Sequence, residues 1–157
     1  MSYYSTVDGI QKYLSQLVTI GTGEADLVNT TDIEKFQADV DNDMNGRLGT
    51  TYRVPLVEIT RVGIAEAFYP QPIPDIANKL VTVRLVNTFY KDVQPNDSAT
   101  VAVWGTEANT RLAEIINGIA SGSVKLEGQH LLAKNRFAPP HVVPISPAAA
   151  PAVGGIR

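Results

Sequence analysis

The fold is decided by residues 74–90, which read PDIANKLVTVRLVNTFY. Pro74 suits the first turn of a helix, where its missing N–H costs nothing, and Asp75 suits the positive end of the helix dipole. Apolar side chains then occupy most sides of the predicted helix: Ile76, Leu80, Val81, Val83, Leu85, Val86 and Phe89. A helix that is apolar nearly all round is usually buried, so we expect the other elements to pack around it.

Two helices are predicted before this segment. The first begins at Ser5, because Ser5 and Asp8 have the spacing of a capping box, and it ends at Gly21. The second begins at Thr31 with Glu34 three residues later, and its apolar positions recur at helical spacing: Ile33, Phe36, Val40, Met44 and Leu48. This pattern predicts a helix with one buried face.

A fourth helix is predicted from Ser98 to Gly122. It carries Trp104, which is either a core residue or an anchor for a partner. The interval Gly49–Ile73 is long for a bundle connection and is predicted to hold a short β-hairpin, with Val54–Val62 as its strand region. The fold class is therefore mainly α: a small four-helix bundle-like domain with a long loop.

The chain is predicted to divide into a helical domain, residues 1–126, and an extended Pro/Ala-rich arm, residues 127–157. Half of the ten prolines lie between positions 139 and 151, and proline favours extended backbone. The arm is basic, because Lys134, Arg136 and Arg157 outweigh its only acid, Glu127, and give it a net charge of +2. Since the whole chain carries −3, residues 1–127 carry −6 and residues 128–157 carry +3.

Composition excludes several classes of function. Thirteen basic against sixteen acidic residues argue against a general nucleic-acid binder, and the absence of cysteine excludes disulfides and thiolate sites. No apolar run reaches the length of a membrane span, and Met1-Ser2-Tyr3-Tyr4 does not resemble a signal peptide. The two histidines have no rigid carboxylate frame in the sequence, so we expect neither catalysis nor a cofactor.

One motif leaves an alternative open. Asp41, Asp43, Asn45 and Gly46 match positions 1, 3, 5 and 6 of an EF-hand loop, but position 12, where calcium needs an acid, is Tyr52. The same residues also continue a helical stripe, on which Asp41 and Asp43 face different ways. The alternative function is a calcium-responsive helical binding protein, which requires the helix to be interrupted at Gly46.

The order of these parts resembles the head–tail connector proteins of tailed bacteriophages, particularly the Mu-like branch. The resemblance covers Ser2–Leu126 and rests on four segments in sequence: Asp41–Leu48, Tyr52–Leu56, Ile73–Leu80 and Leu112–Gly122. The interval Val57–Ile73 is longer than the pattern, and the arm has no counterpart in it.

The resemblance implies a structural virion protein, the head–tail connector or adaptor subunit at the neck, assembled in the bacterial host cytoplasm. Such proteins form a homo-oligomeric ring, usually of twelve copies, below the portal. The ring extends the channel through which double-stranded DNA passes without specific binding, and it presents a platform to the stopper or tail-terminator protein. No membrane is involved.

Two sets of residues are assigned to contacts on this basis. Contacts with the portal or neck are expected from the arm and the N-terminus: Arg136, Phe137, His141, Val142, Val143, Ile145, Tyr3 and Tyr4. Contacts between subunits of the ring are expected from the second helix and the loop, through charge complementarity: Asp39, Asp43, Arg47, Arg53 and Arg61.

Overall fold

The chain forms a small helical body, seen in a computed structural model that describes residues 2–14, 28–89, 98–120 and 125–132. Its helices are α1 (Val7–Leu14), α2 (Thr30–Leu48), α3 (Ile73–Phe89) and α4 (Ser98–Ala120). Within these ranges no strand forms, and the mainly α, four-helix prediction is confirmed. None of these helices is long and apolar enough to cross a membrane.

Helix α3 is the centre of the body, as its sequence predicts, and α1, α2 and α4 all pack against it. Its buried positions run along most of its length: Ile73, Ile76, Ala77, Asn78, Lys79, Leu80, Val81, Thr82 and Leu85. Burying each large apolar side chain contributes about 1.5–3 kcal/mol relative to leaving it in water. The opposing helices supply the matching faces, with Met44 of α2 and Leu112 of α4 fully buried.

Both predicted helix caps are wrong by one or two residues. The cap of α1 is Thr6, whose hydroxyl accepts a hydrogen bond from the Gly9 N–H at 3.0 Å, while Ser5 is buried instead. The capping box of α2 is formed by Asn29 and Asp32, with the Asn29 side chain accepting from the Asp32 N–H at 2.9 Å. Asparagine is among the strongest N-cap residues, so it starts the helix ahead of Thr31.

The predicted strand Val54–Val62 is also wrong, because its hairpin is reduced to one bridge. Ile59 and Phe68 exchange backbone hydrogen bonds at 2.7 and 3.0 Å. Pro55 has no N–H to donate, and the Gln129 side chain takes both backbone groups of Val57, at 2.8 and 2.7 Å. Val57 therefore has no backbone groups left for a strand.

Residues 125–132 pack along the start of the loop and extend the body beyond the predicted boundary at residue 126. The Leu126 N–H donates to the Tyr52 hydroxyl at 3.0 Å, and the Leu132 N–H donates to the Thr51 carbonyl at 3.0 Å. Gln129 is only 2% exposed. The folded body thus includes residues up to Leu132.

Gly9 lies where α1 packs on α3, and substituting it tests that contact, with Gly46 on α2 as the control. A Cβ at Gly9 would lie 2.1 Å from the Asn78 amide nitrogen, and Asn78 is buried and accepts the Thr6 N–H at 2.9 Å. Gly9→Ala should therefore lower the free energy of unfolding by about 1–3 kcal/mol through overpacking. Gly46→Ala has open space around its Cβ and should raise it by about 0.5–1 kcal/mol.

Urea unfolding of both variants measures this difference. The described contact between α1 and α3 would be contradicted if Gly9→Ala were as stable as Gly46→Ala.

Candidate functional site

The N-terminal segment, residues 2–6, is fastened to α2 and to the loop by Tyr4. The Tyr4 hydroxyl donates to Asn45 Oδ1 at 2.6 Å and accepts the buried Leu56 N–H at 2.8 Å, while the Tyr4 N–H donates to Asp41 Oδ2 at 3.1 Å. Tyr4 is 2% exposed. Its assignment to partner contact is corrected: an aromatic residue near the terminus is here part of the core.

A cavity of about 610 Å³ opens beside this segment. It lies between the N-terminus, one face of α2 and the loop, and its lining comprises Ser2, Tyr3, Tyr4, Ala38, Asp41, Asn42, Asn45, Pro55, Leu56 and Tyr69. The Tyr4 and Tyr69 rings meet edge to face, 4.8 Å between centroids, and the Tyr69 hydroxyl lies 3.0 Å from Ser2 Oγ. Of the two N-terminal residues predicted to contact a partner, Tyr3 also lines this cavity, and it is half-buried where Tyr4 is fully buried.

The cavity is electrostatically unusual because its one carboxylate, Asp41, is half-buried. Burial raises the pKa of Asp41 to about 6, and the hydrogen bond from the Tyr4 N–H opposes this rise. Among the described residues Asp41 forms no ion pair. The N-terminal segment covers Asp41 through the Tyr4 N–H, which the helical spacing of α2 cannot show.

A second feature is the part of the loop that projects from the body. Residues 60–67 are all exposed, and they carry two apolar side chains at the tip, Val62 and Ile64, with Val62 fully exposed. Gly63 turns the tip with a φ of +88°, a conformation that other residues rarely adopt. The loop was predicted from the sequence but its tip was not; the available signal was the apolar pair, Val62 and Ile64, on either side of Gly63.

The base of this projection is held in place from two sides. Arg61 forms a salt bridge with Glu127, and its guanidinium lies 5.4 Å from the centroid of the Phe68 ring. Gly128, with a φ of +68°, brings the C-terminal segment against Ile59, where a Cβ would lie 2.4 Å from the Ile59 methyl. The loop is thus a built projection, anchored at both ends.

The five residues predicted for subunit contacts do not form one cluster. Asp39, Asp43 and Arg47 follow one face of α2, where Asp43 pairs with Arg84 at 3.3 Å and Arg47 donates to Asn109 at 2.6 Å. Asp39 is exposed on the same face. Arg53 and Arg61 lie in the loop, and Arg61 is engaged with Glu127. Asp39 and Arg53 are the two members for which the described residues provide no side-chain partner.

Helix α2 is continuous through the motif that resembles an EF-hand. It runs from Thr30 to Leu48 without interruption at Gly46, so the loop that calcium coordination needs is not formed. Asp41 and Asn45 face the cavity, while Asp43 faces Arg84 on another side. Within the described ranges no group of three or more metal-ligating side chains comes together.

The remaining predicted contact residues, Arg136, Phe137, His141, Val142, Val143 and Ile145, lie outside the described residues. Trp104 is half-buried on α4, with its ring 5.3 Å from that of Tyr13. It therefore lies at the margin of the core. Tyr13 also donates to Asp75, which connects this margin to the start of α3.

Comparison with known proteins gives no relative: no protein-family model matches the chain, and no curated protein matches it.

The Tyr4 hydroxyl is expected to contribute more to the free energy of unfolding than an average hydrogen bond does. Tyr4→Phe leaves the buried Leu56 N–H without its acceptor, so it should lower the free energy of unfolding by about 1–3 kcal/mol at pH 7. Tyr3→Phe is the matched control, since the Tyr3 hydroxyl has no hydrogen bond within the described residues, and its effect should stay within about 0.5 kcal/mol. Equal effects of the two substitutions in denaturant titrations would refute this role of Tyr4.

The buried Tyr4 hydroxyl also predicts that the stability of the protein depends on pH in the alkaline range. Burial raises the pKa of Tyr4 from 10.0 to about 12, so the folded chain keeps a proton that the unfolded chain loses above pH 10. The contribution of Tyr4 to stability is therefore complete below pH 10 and is lost as the pH rises through about 12. The stability difference between the wild type and Tyr4→Phe should shrink over that window, and a difference that grows would contradict the burial of the hydroxyl.

Proposed function

We propose that this protein is a structural virion protein, a head–tail connector subunit of a tailed bacteriophage. In this role it forms a ring below the portal, extends the DNA channel and joins the capsid to the tail. The observation that carries the proposal is the anchored projection of residues 60–67, with its apolar tip, on a small helical body. The resemblance in sequence order from Ser2 to Leu126 supports it.

A fixed projection of this kind suits contacts between identical subunits in a ring. Val62 and Ile64 expose apolar surface to water, and a partner that covers them gains about 25 cal/mol per Å² of apolar surface buried. A ring requires a head-to-tail contact, in which a feature on one side of each copy fits a different surface of the next. The salt bridge of Arg61 and the Ile59–Phe68 bridge hold the tip in place before it binds, which lowers the entropy cost of assembly.

The charges of the chain fit a channel component. Residues 1–127 carry −6. An acidic lining repels phosphates, so double-stranded DNA can pass without being retained. We assign subunit contacts to the projection and to Asp39, Asp43, Arg47, Arg53 and Arg61.

The arm is proposed to contact the portal, with Arg136, Phe137, His141, Val142, Val143 and Ile145 as its contact residues. The stopper or tail-terminator protein would dock on the other side of the ring. On this proposal the protein belongs to the neck of the virion and is assembled in the host cytoplasm.

The test is native mass spectrometry of the full chain at high concentration, with chelator and with calcium. We expect a ring of about a dozen copies that is indifferent to calcium, and Val62→Asp should disperse it because a charge on the tip cannot be buried without a partner. The substitution should leave the fold intact, since Val62 has no packing to lose. Circular dichroism verifies this.

Val103→Asp is the matched control, because Val103 is exposed on α4, away from the projection. It should leave the ring unchanged. A chain that stays monomeric at all concentrations and gains calcium would overturn the connector proposal, and a ring insensitive to Val62→Asp would remove the projection from the subunit interface.

A further inference from the structure

The cavity beside Tyr4 is built around the carboxylate of Asp41, which forms no ion pair with any described residue. Among these residues its only donor is the Tyr4 N–H, 3.1 Å from Oδ2 and 3.4 Å from Oδ1, although an ionised carboxylate can accept about four hydrogen bonds. The side chains that share the cavity with it add oxygen acceptors and aromatic surface: Asn42, Asn45, Tyr3, Tyr4 and Tyr69. No lysine, arginine or histidine of the described residues lines the cavity.

This chemistry is suited to a cation. A guanidinium or ammonium group entering the cavity meets the Asp41 lone pairs that accept no hydrogen bond from a described residue, and the half-buried ring of Tyr69; the Tyr4 ring is 2% exposed and packs against Tyr69. Tyrosine rings attract cations through the negative charge on their faces, and the interaction strengthens where water is excluded. A neutral ligand would leave the Asp41 carboxylate desolvated and unpaired, and an anion would be repelled by it.

We propose that this cavity binds a guanidinium group and that its occupant is Arg136 from the basic arm of the same chain. The assignment goes beyond the proposed function and does not rest on it, because it concerns a single subunit. It removes Arg136 from the portal contacts proposed above and leaves those contacts to Phe137, His141, Val142, Val143 and Ile145.

The chain reaches this cavity if it turns back after Leu132, because residues 129–132 run antiparallel to residues 51–57, from Val57 towards Thr51 and away from Pro55 and Leu56. The described C-terminal segment ends at Leu132, whose N–H bonds to Thr51, and Thr51 in turn bonds to Leu48 at the end of α2. Asp41 lies seven residues before Leu48, which is about 10 Å along a helix. Arg136 is four residues beyond Leu132, and four extended residues span up to about 14 Å before the length of the arginine side chain is added.

Charge favours this occupant over other segments of the chain. The arm beyond Leu132 carries Lys134, Arg136 and Arg157 and no acid. Arginine is preferred to lysine in such a place because its planar guanidinium pairs with a carboxylate through two hydrogen bonds and stacks on aromatic rings.

The other large concavity on the body is a weaker candidate for the arm. It runs along α4 and has a volume of about 670 Å³. Glu107 pairs with Lys79 at 3.0 Å, Arg111 lies 3.9 Å from Asp75, and Glu114 is exposed. Arg111 in the lining repels a basic arm, whereas no described cation lines the Asp41 cavity.

The contact should respond to pH through Asp41. The titratable groups facing it are Tyr3 and Tyr4 from the N-terminal segment and Tyr69 from the loop, and burial raises the pKa of both Tyr4 and Tyr69 above 10.0, so these two remain neutral at pH 7. With the cavity empty, burial holds the pKa of Asp41 at about 6. A bound guanidinium favours the ionised form, so it lowers this pKa, and binding weakens as the pH falls and Asp41 is protonated.

The first test measures the pKa of the Asp41 carboxyl by carbon-13 NMR titration of the full chain. We expect Arg136→Gln to raise it by at least one unit relative to the wild type, towards about 6. Arg157→Gln is the matched control, because it removes the same charge from the far end of the arm, and it should leave the value unchanged. Equal pKa values in all three proteins would overturn the proposal.

The second test locates the arm in space. The chain contains no cysteine, so Ala138→Cys provides a single site for a nitroxide label. The label should broaden the amide signals of Asn42 and Asn45 at the cavity more strongly than that of Glu107 on α4. Broadening of Glu107 instead would overturn the assignment of the cavity.

A mixing experiment distinguishes binding of the arm to its own chain from binding to a neighbouring copy. Chain enriched in nitrogen-15 but carrying no nitroxide is combined with an excess of nitroxide-labelled Ala138→Cys chain that is not isotope-enriched. Absence of broadening in the mixture supports binding within one chain, whereas broadening at Asn42 and Asn45 would overturn it in favour of a neighbouring copy. Because both tests can be run on dispersed Val62→Asp protein, their failure is separable from failure of the ring.

Discussion

The hydroxyl of Tyr4 is the point on which the arrangement of the non-helical parts depends. It joins three pieces of chain that are distant in sequence, because it donates to Asn45 on α2 and accepts from Leu56 in the loop while its own backbone donates to Asp41. The helices pack on α3 without it, but the N-terminal segment and the start of the loop take their places from it. The wall of the Asp41 cavity therefore follows from one buried phenol, while residues 51–57 are held both by Tyr4 and by contacts with residues 126–132.

The helices could be predicted from the sequence because their signals are local. The apolar surround of Ile76–Phe89 and the stripe from Ile33 to Leu48 identify α3 and α2, and both survive in the structure. The predicted start of α2 was two residues late, because Asn29, Thr30 and Thr31 are three successive residues that can cap a helix and spacing alone cannot choose among them. The side of α2 on which Asp41 and Asn45 lie was also correctly separated from that of Asp43.

What could not be predicted lies in contacts between segments far apart in sequence. Nothing near Tyr4 signals that it will be buried by residues about forty and fifty positions later, and nothing near Asp41 signals a covering segment. The Gln129 side chain replaces a strand partner for Val57, across 72 residues, so a pattern that reads as a strand forms none. The sequence therefore identified individual residues of the candidate site, but not that they form a cavity beside Tyr4 and a projection at residues 60–67.

The Gln129 amide has a consequence for the chain in concentrated solution. A loop that is extended, partly apolar and close to an open backbone edge is a template on which other copies can add as strands and aggregate. The amide presents the Val57 N–H and carbonyl with the same pattern of donor and acceptor that a neighbouring backbone would offer, and it is held in place by burial. One side chain thereby closes the backbone edge at Val57, five residues before the exposed Val62.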